Sequence, residues 1–166
     1  LLFMERIIGT YTGPEPGALV VVFGAVHGNE PAGVRALEEI FRMLDREPQV
    51  NPGFVFRGKL IGLIGNRQAF TSGQRFLHRD LNRMWTGDNH RRILKIDPAE
   101  LKAEDREFAE LHALLHTLIQ DTLPEALVLL DLHTTSADGG IFCIPSDDAA
   151  SLRLAKALHA PVILGM

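Results

Sequence analysis

The sequence predicts an α/β protein, a three-layer α/β/α domain with a mixed, largely parallel sheet, on three observations. Continuous apolar runs rich in β-branched residues, above all Ala18 to Val26, have strand length and suit strands buried on both faces. Such strands alternate along the chain with amphipathic stretches of helical period, the order that a helix-covered sheet requires. At 166 residues the chain has the size of one ordinary domain and can bury a core without staples.

Element by element, Ala18 to Val26 is the first buried strand, and His27-Gly28-Asn29-Glu30-Pro31 is a tight turn with Pro31 placed to open a helix. Val34, Leu37, Ile40, Phe41 and Leu44 recur at helical spacing and predict a helix to about Arg46. After a Pro/Gly/Asn loop, Phe54 to Ile64 is a strand containing Gly58 and Gly62. Asn66 to Asp97 lacks clean periodicity and is expected to be a long functional loop. Asp97-Pro98 opens a long helix with Leu101, Phe108, Leu111, Leu115 and Leu118 on one face, stopped by Pro124. Ala126 to Leu132 is the next buried strand, and Thr134 to Gly140 a polar loop. Ile141 to Pro145 is a short strand, Asp147 or Asp148 caps a last helix to about His159, and Pro161 to Leu164 starts a final strand.

Composition excludes several classes. Hydrophobic residues at 46% and charged residues at 23% are ordinary for a globular protein and unlike a disordered or fibrous chain. Lys plus Arg number 17 against 21 Asp plus Glu, a net charge of −4, so no overall basic footprint for nucleic acid exists. The aromatic residues do not interleave with the arginines as a single-strand binder would need. Cys143 is the only cysteine, which excludes an intrachain disulfide and a multi-thiolate zinc site; within its apolar run it is expected to be a buried inert thiol. No apolar stretch approaches the roughly 20 residues that span a bilayer, and Leu1 to Met4 lacks the features of a signal peptide. No membrane partner and a cytoplasmic location are the expectation.

Seven histidines invite a search for metal ligands. His112 and His116 sit four apart on the long helix, but no Glu follows His112, and the pair reads as flanking the Leu111/Leu115 stripe. His78, His90 and His159 have no partner spacing. His27 and Glu30 stand where a buried strand turns into a helix, the place where open α/β sheets hold ligands, and Gly28 lets the chain turn sharply. His133 stands at the carboxyl end of a second apolar strand. Two imidazoles and a carboxylate suit Zn²⁺ with one position left for water, whose pKa would fall to about 7. Taken alone, His27 is equally a turn histidine and Glu30 an ordinary first-turn acid. Arg75, Arg79 and Arg83 with Asn82 form either a solvated basic loop or the anion end of a substrate pocket, with Asp80 orienting one guanidinium. Asp131 is either an end-of-strand polar residue or a carboxylate that fixes the tautomer of a ligand histidine.

Three motifs in order, His27-Gly28-Asn29-Glu30, Asp80-Leu81-Asn82-Arg83 and Asp131-Leu132-His133-Thr134-Thr135, make the stretch from Gly24 to Gly139 resemble the succinylglutamate desuccinylase/aspartoacylase family, zinc carboxypeptidase-like amidohydrolases. The resemblance implies one Zn²⁺ per chain held by His27, Glu30 and His133. It implies that Arg75 polarises the scissile carbonyl, with Arg79 as its rival, and that Asn82 and Arg83 grip the carboxylate of a small N-acyl amino acid substrate. Asn66 falls where the family carries a loop asparagine, but Arg67 replaces the proline that follows. The implied reaction is hydrolysis of the amide joining an acyl group to an amino acid. A zinc carboxypeptidase acting on peptides and a non-catalytic metal- and anion-binding module are the alternatives. The family's general-base glutamate lies on a later strand, and no acidic residue follows Asp148 here. Residues 1–166 are therefore expected to be a zinc-binding catalytic-type domain, C-terminally truncated, lacking the general-base strand and the C-terminal domain and inactive alone.

Overall fold

The computed structural model describes residues 4–135 and 139–165, so Ser136 to Asp138 of the expected polar loop lie outside the described residues. Two compact units divide the chain, the first ending at Thr134 and the second starting at Thr135. The first unit holds a four-stranded mixed sheet formed by β1 (Ile7–Thr12), β2 (Glu15–Gly24), β3 (Arg57–Ile64) and β4 (Leu127–Leu132) in the order β1-β3-β2-β4. β2 runs parallel to both β3 and β4, and only β1 is antiparallel.

Alternation along β2 explains the layering. Val20 and Val22 face α1 (Ala32–Val50), meeting Leu37 and Phe41, whereas Leu19, Val21 and Phe23 face α4 (Ala103–Thr122), meeting Phe108 and Leu111. β2 is thus covered on both faces, which is why its sequence is an unbroken apolar run. Helices on the two faces make the three-layer α/β/α arrangement that the alternation of elements predicts.

Several elements differ from expectation. β1 is unforeseen: it is a half-buried edge strand with a register shift between Ile7 and Gly9, so its pattern is too irregular to stand out. Gly9 is required there because a Cβ would lie 2.4 Å from the Phe41 ring. The stretch 66–97 is not structureless, since it carries α2 (Arg67–Ser72), a 3-10 turn at Leu81–Arg83 and α3 (Gly87–Ile93), each too short to show a helical period. The long helix starts at Ala103 rather than at Asp97-Pro98, because Lys102 and Asp105 form its capping arrangement. α1 continues past Arg46 to Val50 with Pro48 inside its last turn, where the ring leaves the Leu44 carbonyl without its helical donor.

In the second unit Asp148 caps α5 (Ala149–Ala157) by accepting from the backbone N–H groups of Ala150 and Ser151. The two short strands expected here reduce to a single parallel bridge between Cys143 and Val162. Cys143 is accordingly half-buried instead of fully buried. Among the described residues no helix is long and apolar enough to cross a membrane.

Ion pairs fasten α4 to the end of β3. Buried Arg6 donates from Nη1 to the carbonyls of Ile64 and Gly65, both at 2.9 Å, and from Nη2 to Glu107 on α4 at 2.5 Å. Glu107 also accepts from the backbone N–H of Gln68 on α2 at 3.3 Å. Both charges of the Arg6–Glu107 pair are desolvated, so they persist only because every partner is in place.

Leu111 is fully buried between α4 and the sheet. Leu111→Ala is expected to destabilise the fold by about 2–5 kcal/mol, seen as a lower urea midpoint at constant m-value. A loss well under 1 kcal/mol would contradict the packing of α4 on β2.

Candidate metal centre

β2 and β3 end side by side, stitched by Gly65 N–H to the Gly24 carbonyl at 2.8 Å and Asn66 N–H to the Ala25 carbonyl at 2.9 Å. Ala25 takes a left-handed conformation (φ 54°), an unfavourable one for a residue with a Cβ, and so turns the chain sharply out of β2 toward His27. Gly28 has no positive φ; it is needed because a Cβ there would sit 2.1 Å from the Ala69 carbonyl carbon as α2 passes. Close approach, not turn geometry, is its role. Beyond it Glu30 N–H bonds back to the His27 carbonyl at 3.0 Å, which brings both side chains to one side.

His27, Glu30 and His133 converge at the carboxyl ends of β2 and β4. One ligand atom from each lies within 4.8 Å of the others, and this is the one such group of three or more His, Cys, Asp or Glu side chains among the described residues. His27 Nδ1 stands 2.9 Å from Glu30 Oε1, and His133 Nδ1 stands 3.3 Å from Glu30 Oε2. The outer nitrogens face other carboxylates: His27 Nε2 is 3.0 Å from Asp80 Oδ1, and His133 Nε2 is 2.6 Å from Asp131 Oδ2. The carboxylates on Nε2 fix the orientation of each ring and turn both Nδ1 atoms toward Glu30, the side on which a ligating nitrogen would face a metal. The donor chemistry of these residues therefore fits a divalent ion such as zinc, with His27 and Glu30 buried and the His133 side chain 30% exposed.

Charge at the centre follows from these contacts. Burial would raise the Glu30 carboxyl, but the Thr134 N–H at 2.7 Å, the His27 hydrogen bond and the two imidazoles outweigh it and hold it below its ordinary value of 4.5. His133 is raised above 6.5, chiefly by its hydrogen bond to Asp131, with burial opposing and the charges of Asp131 and Glu30 adding. A cation taking Nδ1 must replace that proton.

Arg75 is the guanidinium brought to the triad: Nη1 is 3.5 Å from Glu30 Oε1 and Nη2 is 3.9 Å from Asp80 Oδ2, with the side chain 52% exposed. Arg79 instead lies where its charge lowers the Asp105 carboxyl on α4. Asp80 was expected to orient a guanidinium; its nearer partner is His27, and it also caps the 3-10 turn through Asn82 N–H at 3.0 Å. Asn82 and Arg83 sit exposed on that turn, one turn away from Asp80. Asn66 is fully buried, caps α2 by accepting from Ala69 N–H at 3.0 Å and donates to Glu104. His116 pairs with Gln120 on its own helix, whereas His112 stacks on His90, ring centroids 4.1 Å apart, and so packs against α3. That partnership joins residues on different helices, and no local spacing announces it.

Fold and site together define a carboxypeptidase-like α/β domain with a His/Glu group suited to a metal. Residues 16–166 match the model of the succinylglutamate desuccinylase/aspartoacylase catalytic domain, and the chain belongs to that family. It is similar to a succinylglutamate desuccinylase of Serratia proteamaculans, 32% identical over 161 residues covering 78% of this chain and 48% of that protein. A probable aspartoacylase of Parasynechococcus marenigrum is 30% identical over 151 residues, covering 87% of this chain and 45% of the other. The crystal structure of murine aminoacylase 3 superposes with a TM-score of 0.58 at 28% identity, covering 90% of this chain and 48% of that one. The chain thus spans less than half the length of these relatives.

Asp80→Asn and Asp131→Asn should each weaken zinc binding about 10–100-fold by calorimetric titration, with affinity in the parent rising as pH climbs through the raised pKa of His133. Equal zinc content in the parent and His27→Ala would refute the ligand set. Separately, Glu104 and Asp105 on α4 both have carboxyls held below their ordinary values of 4.5 and 3.8; burial pushes each up, but hydrogen bonds push them further down. Their stabilisation is complete above those ordinary values and disappears as pH falls through the lower folded-state ones, so unfolding free energy should drop with proton uptake below about pH 4.

Proposed function

We propose that this chain is the zinc-binding part of a hydrolase that cleaves the amide of an N-acyl amino acid, with His27, Glu30 and His133 holding the metal. The observation that carries this reading is the convergence of two Nδ1 atoms on one buried carboxylate, each outer ring nitrogen engaged by an aspartate. The names of the related desuccinylase and aspartoacylase support the substrate class. Zinc held there would supply a Lewis acid and a water acidified to a pKa of about 7.

The side chains have separate tasks. Arg75, anchored by Glu30 and Asp80 yet half-exposed, would donate to the oxygen of a carbonyl bound beside the triad, where negative charge grows during attack. Its guanidinium stays charged at any working pH. Exposed Arg83 with Asn82 would take the substrate's carboxylate, since a guanidinium matches that group bidentately and fixes the register of the amide. Asp80 and Asp131 hold the two rings with their Nδ1 atoms aimed inward.

Assay of the full-length protein on N-succinylglutamate, on N-acylaspartate and on peptides with a free C-terminus tests the reading. Turnover of an N-acyl amino acid is expected, and cleavage of peptides alone would replace the proposal with a carboxypeptidase. Zinc binding without turnover of any of these would leave a metal- and anion-binding module. Arg75→Ala should lower kcat about 10²–10³-fold, whereas Arg83→Ala should act mainly on KM. The opposite split would exchange their roles.

A further inference from the structure

Glu104 is a charged side chain that the proposed chemistry does not use. It stands in the first turn of α4 with no solvent exposure, and four donors meet its carboxylate. Oε1 accepts from Leu77 N–H at 2.7 Å and from Asn66 Nδ2 at 3.2 Å. Oε2 accepts from His78 N–H at 3.0 Å and Arg79 N–H at 3.2 Å. Three consecutive backbone N–H groups wrapped around one buried anion make a tight clamp, and its hydrogen bonds overcome burial to keep Glu104 ionised at neutral pH.

The clamped segment is short and links the two loop residues that face the triad. Arg75 lies two positions before Leu77 and Asp80 directly follows Arg79. Near Arg75 the loop is also tied by its own carbonyl, which accepts from Gly28 N–H at 3.1 Å, and by Gln74 N–H, which donates to the Ala69 carbonyl at 3.0 Å. Between α2 and the 3-10 turn there is no regular structure, so hydrogen bonds from neighbouring elements must set the position of this backbone, and over residues 77–79 they come from Glu104. Glu104 itself touches neither histidine.

We propose that Glu104 is a positioning residue of the metal centre: by gathering the N–H groups of residues 77–79 it holds Asp80 against His27 Nε2 and Arg75 against Glu30. The effect on metal affinity rests on the zinc reading above; the effect on the His27–Asp80 contact does not. Glu104→Gln is the informative change, because an amide keeps the volume but offers one acceptor oxygen and an NH₂ that opposes the loop's donors.

In the full-length protein, Glu104→Gln should reduce zinc affinity about tenfold by titration, the scale expected when support behind a ligand is lost. In an Asp80→Asn background the same change should cost less further affinity than in the parent, since the part that acts through Asp80 and His27 is already lost. With Asp131→Asn, which supports the other histidine, the two losses should add. In metal-free protein, the NMR signal of the His27 Nε2–H group should move in Glu104→Gln toward its position in Asp80→Asn. A lowered Tm with unchanged zinc affinity and an unmoved His27 signal would overturn the proposal and leave Glu104 a purely structural residue. If the parent binds no zinc, the metal reading fails, and the His27 signal alone decides on Glu104. Should Glu104→Gln not fold, Asn66→Ser, which keeps a capping hydroxyl for α2 but removes one donor to the carboxylate, should shift the same signal in the same direction; no shift would overturn the proposal.

Discussion

A buried carboxylate between two imidazoles organises the functional end of this molecule. Glu30 accepts from Thr134 N–H, bridges His27 and His133 through its two oxygens and keeps Arg75 beside them, so residues just past the carboxyl ends of β2 and β4 and from an intervening loop meet around one negative charge. Such a charge is costly to remove from water unless its lone pairs are occupied, and here each oxygen has partners. The arrangement requires β2 and β4 to be adjacent and parallel, because only then do both strands deliver their carboxyl ends to the same edge. The sheet order β1-β3-β2-β4 is thus the geometric condition for the centre.

Support for the centre extends outward through further acids. Asp80 and Asp131 face the outer ring nitrogens, and Glu104 holds the loop from which Asp80 projects. Arg6 with Glu107 then fixes α4, the helix that carries Glu104, to the end of β3. Burial deepens along this sequence: the Asp80 and Asp131 side chains are 24% and 31% exposed, whereas Arg6, Glu104 and Glu107 are all below one tenth. Polar groups so deep are stable only as a fully satisfied network. The same requirement makes the network rigid, and a rigid frame is what fixes ligands to within fractions of an ångström.

Much of this architecture was legible in the chain because local pattern and burial coincide. The unbroken apolar run of β2 marks a strand covered on both faces, and the period of Val34, Leu37 and Phe41 marks α1. His27, Glu30 and His133 could be singled out because residues at the carboxyl ends of such strands share one edge of an open sheet. β1, α2 and α3 escaped because they are short or irregular, and a six- or seven-residue element shows no period. Glu104 gave no signal either, since an acid in the first turn of a helix is ordinary for helix stability alone.

The sequence by itself determined the layered α/β architecture, the strand-end histidines and the family motifs, since each is written in neighbouring residues and enforced by hydrophobic burial or backbone preference. Only the tertiary structure decided that Arg75 rather than Arg79 reaches the triad, that Asp80 serves His27, that Gly28 makes room for α2, and that Glu104 clamps the loop. Those relations join positions 25 to 53 residues apart, whose meeting depends on how whole elements pack and on where buried polar groups must find partners.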